Sequence, residues 1–267
     1  MDATLGRLIR SDDIRTSRLL ASLPADAQAV LAPQLAFVTL TRGFVLELLG
    51  EPTAHVQFPC GGALVSMQQT MQDGAAVEVV AIGAEGAVGS MAALGSGVAL
   101  AQAVVQLPGV FGRIPMAPFL AALRAQPVLR ATMTRYNELL IAEMQQSIAC
   151  NALHDVESRL CRWLLQMQDH TGADVLPFTQ EMVGQMLGVR RATITLVARL
   201  LQSGDMIRWI RGKVEILDRD ALERAACECH AASRQRTDRF LGGGEPMMRT
   251  LRLSGADASA AGGAAPP

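Results

Sequence analysis

The chain has 267 residues, of which 50% are hydrophobic and 18% charged, with a formal net charge of −1. That length allows two modest domains with cores of their own, and the near-neutral balance excludes a globally basic nucleic-acid binder, so any such footprint must be local. No apolar run of about 18 residues is present to span a membrane, and the opening MDATLGRLIRSDDIR lacks the apolar centre of a signal peptide, so a cytoplasmic protein with no membrane partner is expected.

Residues 1–34 read as helical, with one segment closing at LLASLP and the next opening at Pro24-Ala25-Asp26. From 35 to 115 the character changes to short β-type runs punctuated by glycine, such as HVQFP, GALVSMQQT and AVEVVAIGAEGAVG. Strands at this spacing predict a β-barrel or sandwich, with a hairpin turn at Asp73-Gly74. A short helix is expected over 116–124, and Pro127 suits the first turn of a long one. Leu129, Met133, Tyr136, Leu140, Met144 and Ile148 recur in steps of three and four. This single apolar stripe could face the core of its own domain or pair with its copy as a coiled-coil seam; pairing is the expectation adopted.

A hinge is expected at Asn151–Asp155, followed by an amphipathic helix, VESRLCRWLLQMQ, with Leu160, Trp163, Leu164 and Met167 inward. The most informative stretch is TQEMVGQMLGVRRATITLVARLLQ, residues 179–202. It reads as two short amphipathic helices joined at Gly188. Thr179 is a fitting N-cap, and Met182, Val183, Met186 and Leu187 face inward on the first helix. The second helix opens near Arg190, buries Ile194, Val197, Leu200 and Leu201, and exposes Arg190, Arg191, Thr193, Thr195 and Arg199. That is a helix-turn-helix, whose second helix enters the major groove of DNA. Arg190, Arg191, Arg199, Arg208, Arg211 and Lys213 stand here against Asp205 alone, a local basic patch suited to phosphates. IRWIRGKVEIL then reads as a hairpin, making the unit a winged helix, and 218–229 as a short helix or cap. The end, SGADASAAGGAAPP, is low-complexity.

The order of segments from about 17 to 229, and above all ESRLCRWLLQMQDHTG followed by LPFTQEMVGQMLGVRRATITLVARLLQSGDMIRWIRGKVEIL, resembles the Crp/Fnr family of bacterial transcription regulators. The resemblance implies an α+β chain. An N-terminal jelly-roll effector domain of cyclic-nucleotide-binding type (1–125) would be joined by a dimerisation helix and hinge (126–153) to a winged helix (154–230); composition, not the resemblance, assigns 231–267 to a disordered tail. The resemblance implies a homodimer on a near-palindromic operator, with RNA polymerase as a further partner and no enzymatic activity.

By family position Arg191 reads guanine, while Ala192 and Leu196 replace the family's frequent Glu and Arg, so the operator should differ from the best-known one. Ala192 and Thr195 join Arg191 in base reading. Thr179, Gln180, Arg190, Thr193, Arg199 and the wing residues Arg208, Arg211 and Lys213 are expected on the DNA backbone. In the effector segment Gly89 fits the family pattern, but Ser90 stands where a ribose-binding Glu belongs, and Leu100 and Ala101 where a phosphate-binding Arg-Ser pair belongs. No basic side chain occurs from Gly86 to Leu107. A buried cyclic phosphate needs a cationic partner or a cluster of N–H donors, and the glycine-rich loop supplies no charge, so cyclic AMP control is not expected; Ser90 and Gln102 leave room for a neutral or weakly polar ligand of unknown identity, or the domain is purely a structural support of the dimer. A sensor of another small ligand, or a scaffold that has lost specific DNA binding, are the alternative readings.

The cysteines Cys60, Cys150, Cys161, Cys227 and Cys229 are odd in number and loosely spread, against a disulfide framework. Residues 1–59 contain none, against the N-terminal iron–sulfur cluster of the oxygen-sensing branch. Cys227-Glu228-Cys229-His230 offers too few ligands at too poor a spacing for a metal, and Cys150 and Cys161 read as buried small hydrophobes. His55 and His154 lack the pattern of a haem ligand. No Cys–His or carboxylate constellation marks an enzyme, and neither metal nor cofactor is expected.

Overall fold

The computed structural model describes residues 11–242. The helical reading of 1–10 and the low-complexity end lie outside them. After a 3₁₀ turn come α1 (Arg18–Ser22) and α2 (Ala25–Leu31), then β1 (Ala36–Leu40), β2 (Val45–Glu47), β3 (His55–Pro59), β4 (Leu64–Thr70) and β5 (Ala76–Ile82). A short α3 (Ser90–Leu94) precedes β6 (Gln102–Leu107) and β7 (Gly109–Pro115). The strands form two antiparallel sheets, ordered β1-β7-β3 and β2-β6-β4-β5. Val38, Phe58, Val65, Ile82, Val105, Phe111 and Ile114 fill the core of this roll. The Asp73-Gly74 hairpin forms as the sequence predicts: Gly74 adopts φ +84° and the Asp73 carboxylate accepts the Ala75 N–H at 3.0 Å.

Helix α4 (Met116–Ala125) leads to α5 (Pro127–Leu153), with proline in its first turn. The stripe predicted as a dimer seam is used differently. Leu129, Met133, Tyr136 and Leu140 are fully or almost fully buried in the roll's own core, and Met144 packs half-buried beside them. Of the six, Ile148 alone is exposed, at 69%. Tyr136 lies so close to Gly86 that a β-carbon there would overlap its hydroxyl. The spacing signals an amphipathic helix correctly, but periodicity does not say whose core the stripe meets.

Beyond the break at His154-Asp155 lie α6 (Val156–Thr171), β8 (Val175–Leu176), α7 (Gln180–Leu187), α8 (Arg191–Ser203), β9 (Ile207–Ile210), β10 (Lys213–Ile216) and α9 (Arg219–Ala225). Local chemistry fixes most ends. Asp155 and Asp218 cap α6 and α9 by accepting the Ser158 and Ala221 N–H groups at 2.9 and 2.8 Å, and Gly172 closes α6 at φ +67°. Leu160, Trp163, Leu164, Phe178, Ile194, Leu201 and Val214 make a second core, with Trp163 edge-on to Phe178 at 4.9 Å. A final α10 (Cys229–Leu241) runs back along α5, where Arg236 Nε donates to Glu143 at 2.8 Å and Phe240 meets Tyr136. The sequence places this stretch in a disordered tail from 231; its polar composition hides a helix held by α5.

The two cores meet. Leu64 and Leu107 of the roll belong to the second core, and the outer face of β4–β5 carries α6 and α7. Arg42 donates to the Gln106 and Pro177 carbonyls at 2.9 and 2.8 Å, and Trp163 Nε1 to Glu78 at 3.0 Å. Glu85 and His170 pair across the junction at 3.0 Å. Burial opposes both charges, but mutual attraction prevails: His170 is held above its ordinary 6.5 and Glu85 below its ordinary 4.5. The histidine's contribution is complete below 6.5 and fades as pH rises through its raised value; the carboxylate's is complete above 4.5 and fades as pH falls through its lowered value. Stability from this pair should therefore peak between 4.5 and 6.5. Urea midpoints for the native chain should fall from about pH 6 to pH 9, and His170→Gln should flatten that slope.

Candidate nucleic-acid interface

Helices α7 and α8 are built as the sequence predicts. The Thr179 hydroxyl accepts the Met182 N–H at 3.2 Å, and Gly188 takes φ +65° as the C-cap. Gly184 lets the turn close, since a β-carbon there would sit 3.0 Å from the Val189 carbonyl. Arg190 is the N-cap residue of α8, whose inner face buries Ile194, Val197, Ala198 and Leu201. The outer face presents Arg191, Ala192, Leu196 and Arg199 to solvent, with Thr193 half-buried. Leu200, expected inside, is exposed because the 3.6-residue period carries it past the buried face. Among the described residues the only ion-pair partner of Arg191 is Glu181, at 3.9 Å with both side chains largely exposed, a contact too weak to hold the guanidinium.

The sequence-based match falls on this unit: residues 158–225 fit the family model of the Crp-like helix-turn-helix domain. This segment is a Crp-like helix-turn-helix domain. No curated protein matches the chain. Among solved structures, a Crp/Fnr-family transcriptional regulator from Thermus thermophilus is 22% identical with a TM-score of 0.61, covering 72% of this chain and 98% of its own. FixK2 of Bradyrhizobium japonicum is 13% identical with a TM-score of 0.63, covering 72% and 98%. The c-di-GMP-responsive global regulator CLP of Xanthomonas campestris is 14% identical with a TM-score of 0.60, covering 72% and 99%. The chain therefore has the fold of Crp/Fnr transcription regulators.

Within the Crp-like domain three expected DNA contacts, Thr195, Gln180 and Arg208, are engaged internally. The Thr195 hydroxyl donates to Gln180 Oε1 at 2.7 Å, tying α8 to α7, so Thr195 and Gln180 brace the motif rather than standing free for bases and phosphates. On the wing, Arg208 is neutralised by Glu215, its Nε and Nη2 donating at 2.9 and 2.6 Å. Arg211 (φ +50°) and Gly212 (φ +79°) make the two-residue turn at the wing tip, with Arg211 and Lys213 exposed. Among the described residues, Arg190, Arg199, Arg211 and Lys213 on this face enter no ion pair, and Arg191 has only the long contact to Glu181.

The segment expected to hold an effector is tightly closed. Gly89 adopts φ +89°, and a β-carbon there would come within 2.7 Å of the His55 carbonyl. Ser90 is buried and donates to Asn137 Oδ1 at 2.7 Å, while Asn137 Nδ2 returns a bond to the Ser90 carbonyl at 3.2 Å. Leu100 is exposed, Ala101 buried, and Gln102 accepts from Thr70 at 3.3 Å. The cavity between Glu47, Ser90, Leu100 and Leu140 measures about 20 Å³, room for about one water. Glu47, the carboxyl there, is pushed up by burial and accepts from Thr53 at 2.8 Å.

One expectation about cysteine is corrected. Cys227 and Cys229 do not stand alone: folding brings Cys150 and His154 to them, while His230 turns away to Asp169 at 2.8 Å. The signal in the sequence is Cys150-x₃-His154, one helical turn apart at the end of α5, which passes unnoticed when each residue is weighed singly.

Proposed function

We propose that the chain is a transcription regulator that binds double-stranded DNA as a homodimer in the cytoplasm, without cyclic AMP as effector. The observation that carries this reading is the outer face of α8, where Arg191 stands solvent-exposed beside Ala192, with Arg190 and Arg199 flanking and the Arg211–Lys213 tip on the adjoining wing. Arg191 with Ala192 reads bases, whereas Arg190, Thr193, Arg199, Arg211 and Lys213 bind phosphates.

Dimerisation uses a face of α5 turned away from the roll. Thr134, Glu138, Ile141, Gln145, Ile148 and Ala152 are all exposed and follow the alternating four-three spacing of a coiled-coil seam. Pairing there would give two α8 helices for two half-sites about one turn of DNA apart. RNA polymerase is the further partner this role calls for. The closed, cation-free segment around Ser90 supports the absence of cyclic-nucleotide control.

Selection from random duplexes should return a near-palindrome. Four phosphate-facing cations per copy, eight per dimer, predict that log K falls against log salt with a slope of about −7, and Lys213→Ala should reduce the slope by about 2. Fluorescence anisotropy over a salt series measures both. A selection that enriches no sequence, or a salt-independent affinity, refutes this function and leaves a scaffold without specific DNA binding.

A further inference from the structure

Cys150, His154, Cys227 and Cys229 converge where α5 ends, α6 begins and α10 starts. Their ligating atoms lie within 4.8 Å of one another. Cys150 Sγ is 3.6 Å from Cys227 Sγ, and Cys229 Sγ is 3.6 Å from His154 Nδ1. Four ligands about 2.0–2.3 Å from one tetrahedral ion have edges of about 3.3–3.8 Å, so both separations are already those of a single-ion site. A [4Fe–4S] cluster, whose cysteines each bind a different iron, needs its sulfurs spread wider.

Three further features belong to such a centre. His154 presents Nδ1 to the sulfurs while Nε2 faces the Glu228 carboxylate at 3.4 Å, the outer partner that orients a metal-bound imidazole. Gln146 Nε2 donates to Cys229 Sγ at 3.1 Å, a bond that favours a thiolate. Arg159 and Arg162 are buried and both feel the Cys150 sulfur; neither forms an ion pair among the described residues, although Arg162 also feels the Glu78 carboxyl. Their Nε atoms also find no partner there. Three thiolates and one divalent ion carry a net charge of −1, the counter-charge that buried cations require.

We propose that Cys150, His154, Cys227 and Cys229 bind one zinc-class divalent ion in a closed tetrahedral Cys₃His site. Binding releases the thiol protons and forms three metal–sulfur bonds and one metal–nitrogen bond, with no change of oxidation state. The site spans the junction: His154 is the C-cap of α5 and Asp155 the N-cap of α6, while Cys227 and Cys229 flank the start of α10. A bound ion would pin α10 to α5 and fix how α6 leaves it.

The full chain, purified under reducing anaerobic conditions, should contain one zinc per chain by elemental mass spectrometry. After chelation, Co²⁺ titration should produce the visible bands of tetrahedral cobalt and thiolate-to-cobalt charge transfer, saturating at one equivalent. The Cys227→Ser/Cys229→Ser variant should abolish them, whereas Cys161→Ser should keep them. Glu228→Gln, at an exposed position, should fold normally by circular dichroism and weaken cobalt binding about 10–100-fold. The proposal is overturned if the native chain binds no cobalt with its thiols reduced, if the bands survive the double replacement, or if Cys150 and Cys227 form a disulfide under anaerobic conditions. These readouts are independent of DNA binding.

Discussion

Trp163→Ala should cost about 3–5 kcal/mol of stability. Its indole is 2% exposed, packs edge-on against Phe178, and reaches across the junction to Glu78. Truncation removes the ring from the second core and deprives a buried carboxyl of its donor. Burial pushes Glu78 above the ordinary carboxylate value, and the Trp163 N–H is one of the contacts that oppose that rise. Trp163→Phe keeps most of the packing and loses the N–H, and should cost only about 1–3 kcal/mol. Urea unfolding followed by far-ultraviolet circular dichroism measures both. A loss for alanine near the roughly 0.5 kcal/mol of an ordinary surface substitution would contradict the placement of Trp163 in the second core.

Arg191→Ala should leave stability unchanged and remove sequence discrimination. A bidentate contact to guanine is worth about 1–3 kcal/mol, so affinity for the selected duplex should drop about 5–150-fold per half-site while binding to scrambled DNA changes little. Arg190→Ala is the companion experiment: if Arg190 meets phosphate, as proposed, its removal should weaken selected and scrambled duplexes alike. Anisotropy titrations of both variants on both duplexes separate the two roles. Equal losses on both duplexes for Arg191→Ala would reassign it to the backbone.

The parts of this architecture set by local chemistry are readable from residues alone. Thr179, Gly188, Pro127 and Asp73-Gly74 dictate caps and turns within a few positions of themselves, and the structure follows them. Contacts between distant segments are not. The stripe through Leu129 and Tyr136 has the same spacing whether it meets a partner or its own roll, and the roll takes it. Thr195 looks free for bases in the sequence because its distance to Gln180 depends on how two helices cross. The same applies to Cys150 and Cys227, 77 positions apart in sequence and neighbours only once α10 folds back.

Leu64 and Leu107 sit on the roll yet belong to the hydrophobic interior of the winged unit. Modularity is therefore weaker than the succession of segments suggests. A chimera that grafts residues 158–225 onto a foreign sensor would leave behind two of the leucines that complete its interior, together with the glutamate that Trp163 donates to. Portability of the winged unit would require carrying the outer face of β4–β5 along with it, so exchange of this unit among relatives should be constrained by a patch outside the unit itself.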